Sequence, residues 1–321
     1  MLKRPLFVGL LFLLACSTDD KVEIVFGGDV MLDRSIRSQI NKKGLSYLLD
    51  DITPVFNSSD YGIVNLECPI DSIATPLTKQ FVFLGDPNTL PELHEAGITH
   101  CIMANNHSYD HGRRTLTRTA GHLLANKITP IGYGDSQNEA CDPVLINKGD
   151  IEVAIFASVT LGLEAWMYLE NQPGMCQATI EDLGLAIQNF KMDHPNTVVI
   201  VTLHWGAEYH IKPTSIQRRH AKLLIEAGTD VIIGHHPHVV QSFESIMGKP
   251  VFYSIGNLIF DNQNPITHDG ILVKLIVSSN QYIKTEIIPY HTSQYKPAPM
   301  IGNQKSNFMK SFQRRSDPLP E

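Results

Sequence analysis

Short apolar runs closed by glycine or polar residues alternate with stretches whose apolar positions recur every three or four residues, from Val22 to about residue 290. The first kind predicts buried strands and the second amphipathic helices. Val22–Phe26, Tyr61–Asn65, Ile98–Met103, Ile128–Ile131, Val231–Ile233 and Val251–Ser254 read as strands. Thr197–Leu203 is a nearly continuous β-branched run, the pattern of a strand covered on both faces. Helical spacing marks 36–49 with an interruption at Gly44, 91–96, 113–125, 179–192 and 215–227, with Gly97 and Gly228 placed as C-terminal caps. Two hairpins are expected, 144–147 with 151–157 and 271–277 with 282–289. Residues 71–86 and 166–176 show no period and read as loops, and Gly132-Tyr133-Gly134 reads as a turn. The last thirty or so residues, rich in proline at 297, 299, 318 and 320, read as a loosely docked tail. With no linker and no repeat, the pattern predicts an α/β fold of two mixed sheets face to face, helices outside.

The 321 residues suffice for one large α/β domain or two smaller ones, and 43% hydrophobic with 18% charged residues is globular composition. A net charge of −7, with basic residues running together only as short pairs such as Arg113-Arg114, Arg218-Arg219 and Arg314-Arg315, argues against a nucleic-acid partner. An anionic substrate would therefore need a bound cation to supply positive charge.

The N-terminus reads as an export signal. Lys3-Arg4 precedes an apolar run, Leu6 to Ala15, too short to span a bilayer. The run ends in Leu13-Leu14-Ala15-Cys16, which resembles the lipobox of bacterial lipoproteins; Cys16 would then carry the lipid and tether the protein to a membrane. An ordinary secretory signal with an incidental cysteine is the alternative. On this reading residues 1–15 are signal peptide, 16–21 a tether, 22–290 the folded domain and 291–321 the tail. Cys68, Cys101, Cys141 and Cys176 remain, and their spacing leaves three pairings open. Cys101 lies in an apolar strand and reads as core; Cys141 with Cys176 is the pair to test first for a disulfide.

Chemistry collects where predicted strands stop. The tips are Gly27-Gly28-Asp29, Asn65-Leu66-Glu67, Asn105-Asn106-His107, His204 to Tyr209, and Gly234-His235-His236-Pro237-His238. Taken singly each has a plain explanation: a capping turn at Asn105-Asn106, a solvated Glu67, a core His204. Jointly they offer hard oxygens and imidazoles, the donor mixture of Zn, Mn or Fe sites. Pro237 stiffens the backbone between His236 and His238, and Asp110 stands where it can fix the ring of His107.

In order and spacing, "GGDVML" (27–32), "NLE" (65–67), "ANNHSYDHG" (104–112), "HWGAEY" (204–209), "GHHPHVVQ" (234–241) and "YSIGNLIFD" (253–261) resemble the calcineurin-like metallophosphoesterase superfamily. Within it the likeness is to the CapA-type, poly-γ-glutamate capsule synthesis family, over roughly residues 22–290. The resemblance implies a four-layer α-β-β-α sandwich and one or two divalent ions. By position it places Asp29 and His238 on one metal, Asn106, His204 and His236 on the other, and Glu67 as the bridging carboxylate. It makes His107 the group facing substrate, as general acid or electrostatic stabiliser, oriented by Asp110. It puts Glu208 behind His204, and Asn257 and Asp261 in a block of underived role. Two departures stand out. Met31 occupies the position of a metal-binding histidine, and Glu67 replaces the usual aspartate, which implies one ion or a weakly held second. The implied function is making, exporting or anchoring an anionic capsule polymer, within a synthesis complex, by a hydrolase-like site. The alternatives are a phosphomonoesterase or phosphodiesterase unrelated to capsule, and a non-catalytic polymer-binding protein.

Overall fold

The structure, a computed structural model, describes residues 21–165, 169–261 and 263–318. The signal segment, Cys16 and Pro320 lie outside the described residues.

Two large sheets form from the apolar runs. In the first, the spatial order is Lys296–Pro299, Ile283–Ser293, Asp269–Ser278, Lys21–Val30, Tyr61–Leu66, His100–Ile102 and Thr129–Ile131. Its last four strands are parallel, and Asn257–Ile259 pairs with the end of Lys21–Val30. In the second sheet the order is Phe243–Ile246, Lys249–Phe252, Val231–His235, Val198–His204, Ile151–Val159 and Val144–Lys148, with parallel strands at its centre. Val22, Ile24 and Ile63 from the first sheet and Val153, Ile200 and Ile233 from the second share one buried cluster, so the sheets pack face to face. The outer face of the first sheet is covered by helices that include Arg34–Lys43 and Gly112–Ala125. Ile180–Asp193 and Ser215–Glu226 cover that of the second. This is the expected four-layer sandwich.

Two expectations are corrected. Residues 296–314 are not a loose tail: Lys296–Pro299 is an edge strand, and Gly302–Arg314 is a helix whose Phe312 is 1% exposed in the core between the sheets. Pro297 and Pro299 suggested a break, but an edge strand tolerates proline because its outer side has no ladder to donate to. Beyond the helix, Ser316 and Asp317 side chains accept hydrogen bonds from the backbone of Phe243 and Ser245, and Arg315 donates to the carbonyl of Val240. The turn at 132–134 is in fact a short strand, Tyr133–Gly134, paired with Gly174–Met175. Beside it Cys141 and Cys176 form a disulfide, while Cys68 and Cys101 are buried free thiols.

Candidate metal centre

All the parallel strands end at one rim, where side chains from both sheets meet. Asp29, near the end of Lys21–Val30, lies in register with Asn65 on one side and Asn257 on the other. Gly28 permits this closeness, since a Cβ there would stand 1.9 Å from the carbonyl oxygen of Gly256. Glu67 follows Tyr61–Leu66 directly. In the second sheet His204 lies opposite His235, and the chain then turns sharply so that His236 and His238 point back to the rim. Both take left-handed backbone, φ 95° and 58°, astride Pro237. Non-glycine residues hold such conformations at a cost of order 1–3 kcal/mol, a strain that collects at functional sites.

The side chains form overlapping clusters: Asp29, Glu67 and His238; Glu67, His204 and His236; and Glu208, His236 and His238. Within each, one potential ligand atom per residue lies within 4.8 Å of the others. Glu67 belongs to the first two and sits between them. Asn106 Oδ1 faces His204 Nε2 at 2.8 Å, so the amide oxygen joins the second cluster.

The donor set fits a divalent cation. Asp29 and Glu67 are fully buried, and Glu67 Oε1 and His236 Nδ1 have no hydrogen-bond partner. Two adjacent buried carboxylates faced mainly by imidazoles and amides are costly unless positive charge lies among them. Burial and then the charge of Asp29 push the Glu67 carboxyl well above its ordinary range. Burial also opposes the Asp29 carboxylate, but His235 and His238 outweigh it and hold its pKa well below normal. His238, despite burial, is raised to about 9 by Glu67 and Asp29. Burial and then the charge of His238 drop His236 to about 4, and His204 is pushed well down by burial and His236. The buried carboxylates of Asp29 and Glu67 thus oppose one another, a repulsion that a cation between them would relieve.

Neighbouring groups fix the donors. Asn257 Oδ1 faces His238 Nδ1 at 2.8 Å, leaving Nε2 towards Glu67, and Asn65 Nδ2 donates to Asp29 Oδ1 at 2.9 Å. Asn105 Oδ1 accepts from the backbone N–H of His107 and of Ser108, shaping the loop that carries Asn106. His107 Nδ1 meets Asp110 Oδ2 at 2.9 Å, and burial holds this imidazole below the ordinary histidine range against the pull of Asp110. With Nδ1 turned to the Asp110 carboxylate, the ring lines the cleft over the cluster. Asp110 is held in turn by the Phe83 N–H and by Lys79, whose ammonium also donates to the Asn106 carbonyl at 2.7 Å.

Glu208 does not stand behind His204. It is exposed and turned to His236 and His238, and Asn65 Nδ2, 3.2 Å away, is the neighbour of His204 Nδ1. Met31 points away into the apolar core, fully buried, so nothing at its position reaches the rim. Asp261 ion-pairs with Arg34, whose guanidinium lies over the Phe83 ring. Sequence reasoning did not foresee the parts played by Asn65, His235 and Lys79. Asn65 and His235 stand inside tips already singled out, whereas Lys79 lies in an aperiodic loop that gave no signal.

The fold is that seen in calcineurin-like phosphoesterases. The fold is similar to a novel phosphatase of Mycoplasma pneumoniae, TM-score 0.56 at 13% identity over 85% of this chain and 94% of that one. It is similar also to a calcineurin-like phosphoesterase of Bacillus subtilis, TM-score 0.53 at 14% identity over 92% and 97%. Residues 23–262 match the sequence profile described as bacterial capsule synthesis protein PGA_cap, and the chain belongs to that family. Its relatives include the capsule biosynthesis protein CapA of Bacillus anthracis, 28% identical over 290 residues, covering 88% of this chain and 71% of that protein. The PGA biosynthesis protein CapA of Bacillus subtilis is 29% identical over 286 residues, covering 88% and 75%.

Proposed function

We propose that this protein acts at the cell envelope in the synthesis, export or anchoring of an anionic capsule polymer of the poly-γ-glutamate type, through a metal-dependent, hydrolase-like site. The observation that carries the reading is the meeting of Asp29, Glu67, His204, His236 and His238 at one buried point, in a chain of this family. Asp29, His238 and Glu67 would hold one cation, and Glu67, His204, His236 and Asn106 a second. When bound, a divalent cation supplies Lewis acidity at neutral pH. The chain's own groups do the rest. His107 Nε2 contacts the reacting group of the substrate, Asp110 keeps the proton on Nδ1, and Lys79 anchors both Asp110 and the Asn106 backbone. Asn257 and Asn65 keep His238 and Asp29 aimed at the cation. The protein reaches the membrane by lipid on Cys16, in a segment outside the described residues; among the described residues no helix is long and apolar enough to cross one.

The test begins with metal content of the purified protein, with and without chelator, followed by turnover of a chromogenic phosphodiester. Bound Mn, Zn or Fe and turnover that falls about 100-fold or more in His107→Ala are expected. Bound metal without turnover would leave the cluster intact and sink the hydrolytic part. Cys16→Ser should release the protein from membranes; unchanged retention would count against the anchor.

A further inference from the structure

Three cavities open side by side along the rim. The central one, about 450 Å³, lies over the metal cluster and is walled by His107, His238 and Phe83. Phe260 and Gln263 wall both it and a second cavity of about 410 Å³, which extends to Gln39, Lys43 and Tyr295. On the other side Phe81, His107 and Glu208 are shared with a third, about 340 Å³, that ends at Glu164. Shared walls make these one groove with the cluster at its middle.

The two arms differ in charge. Among the described residues that wall the second cavity, Lys43 is the only formally charged one, its ammonium seated over the Tyr47 ring at 4.4 Å. Its remaining walls include the amides of Gln39, Gln263 and Gln294 and the hydroxyl of Thr292, whose Oγ1 is buried without a hydrogen-bond partner. The third arm carries exposed Glu164 and Glu208, and its ammonium, Lys79, is buried and ion-paired with Asp110. In the centre, Arg34 is likewise ion-paired with Asp261. A carboxylate-bearing chain is therefore repelled from the Glu164 arm and matched by the Lys43 arm, where side-chain amides can pair with chain amides and the ammonium with a carboxylate.

We infer that the Lys43 cavity is a binding subsite for an anionic polyamide, which lies extended from the metal cluster towards Lys43, so that the protein takes a chain rather than a single small ester. This rests on the capsule-polymer reading above. The experiment is calorimetric titration of the full chain loaded with Mn²⁺, using poly-γ-glutamate, the γ-linked glutamate dimer and long-chain polyphosphate as probes. The wild type should bind the long polyamide more tightly than the dimer. Lys43→Glu, and independently Gln39→Ala, should remove much of that advantage, about three- to tenfold, as expected for losing one exposed ionic or amide contact and adding repulsion. Dimer binding and metal content should stay unchanged, and Glu164→Gln should not weaken the long chain. Equal affinity for polymer and dimer, or a length advantage that survives Lys43→Glu, would overturn the subsite. A length advantage that depends on Lys43 for polyphosphate but is absent for poly-γ-glutamate would overturn both the polyamide assignment of the subsite and the capsule reading, leaving only a site for anionic chains.

Discussion

At the scale of single residues, Glu67 is the pivot, because its carboxylate is common to both three-residue clusters that hold Asp29 and His204. A buried carboxylate pushed towards its protonated form is a burden on the metal-free protein and an asset to the loaded one. Glu67→Gln should therefore leave the metal-free melting temperature unchanged or higher while abolishing the rise that Mn²⁺ or Zn²⁺ produces in the wild type. At a hundredfold excess over the dissociation constant that rise corresponds to about 2.7 kcal/mol, and an equal rise in the variant would remove Glu67 from the ligand set. Gly28 makes a different kind of contribution. An added methyl would collide with backbone at Gly256 rather than with a side chain that can swing aside, so Gly28→Ala should cost about 3 kcal/mol or more and lower the urea midpoint. Glycine, Asp29, the asparagines and the histidine cluster all stood out in the sequence because such residues are unusual directly after apolar strands. Lys79 did not, since a lysine in an aperiodic loop looks like any solvated lysine until the fold buries it on Asp110.

Among the elements, those with a strong local period were legible and those made by packing were not. Thr179 caps Ile180–Asp193 and Thr214 forms a capping box with Gln217 at Ser215–Glu226, so both helices carry their own start signals. The helix Gly302–Arg314 has no side-chain cap, and its place is set by Phe312 entering the core. Phe312→Ala should therefore destabilise the whole domain by about 3 kcal/mol, read as a lower urea midpoint; a loss confined to local fraying would mean that the helix is only loosely docked. The disulfide from Cys141 to Cys176, 35 positions apart in sequence, closes a span that contains the strand Ile151–Val159. Cross-linking a loop of that length limits the unfolded chain and is worth roughly 3–4 kcal/mol. Reduction, or the paired change Cys141→Ala and Cys176→Ala, should lower the unfolding midpoint accordingly, and a wild type indifferent to reductant would contradict it.

For the whole molecule, acid stability sums every buried titrating group, and His100 offers a handle away from the cluster of Asp29, Glu67 and His238. It is 7% exposed, and burial drops its pKa from 6.5 to about 4. The unfolded chain takes up this proton first as acid is added, so stability should fall between about pH 6.5 and pH 4 and level off below, by about 3 kcal/mol from this group. Denaturation of His100→Gln beside the wild type across that range should show a shallower slope in the variant; parallel curves would remove His100 from the account. What the sequence determined by itself was the list of strands and helices with a local period, the four-layer class they imply, and the donors at the strand ends, because hydrophobic spacing and residue chemistry are local properties. The tertiary structure alone decided that Glu67 lies between two clusters, that Glu208 turns to His236 and His238 rather than His204, that Met31 joins the core, and that the helix Gly302–Arg314 sends Phe312 into the core between the sheets. Each of these depends on the register and stacking of strands far apart in the chain, and no local pattern of residues encodes a distance between them.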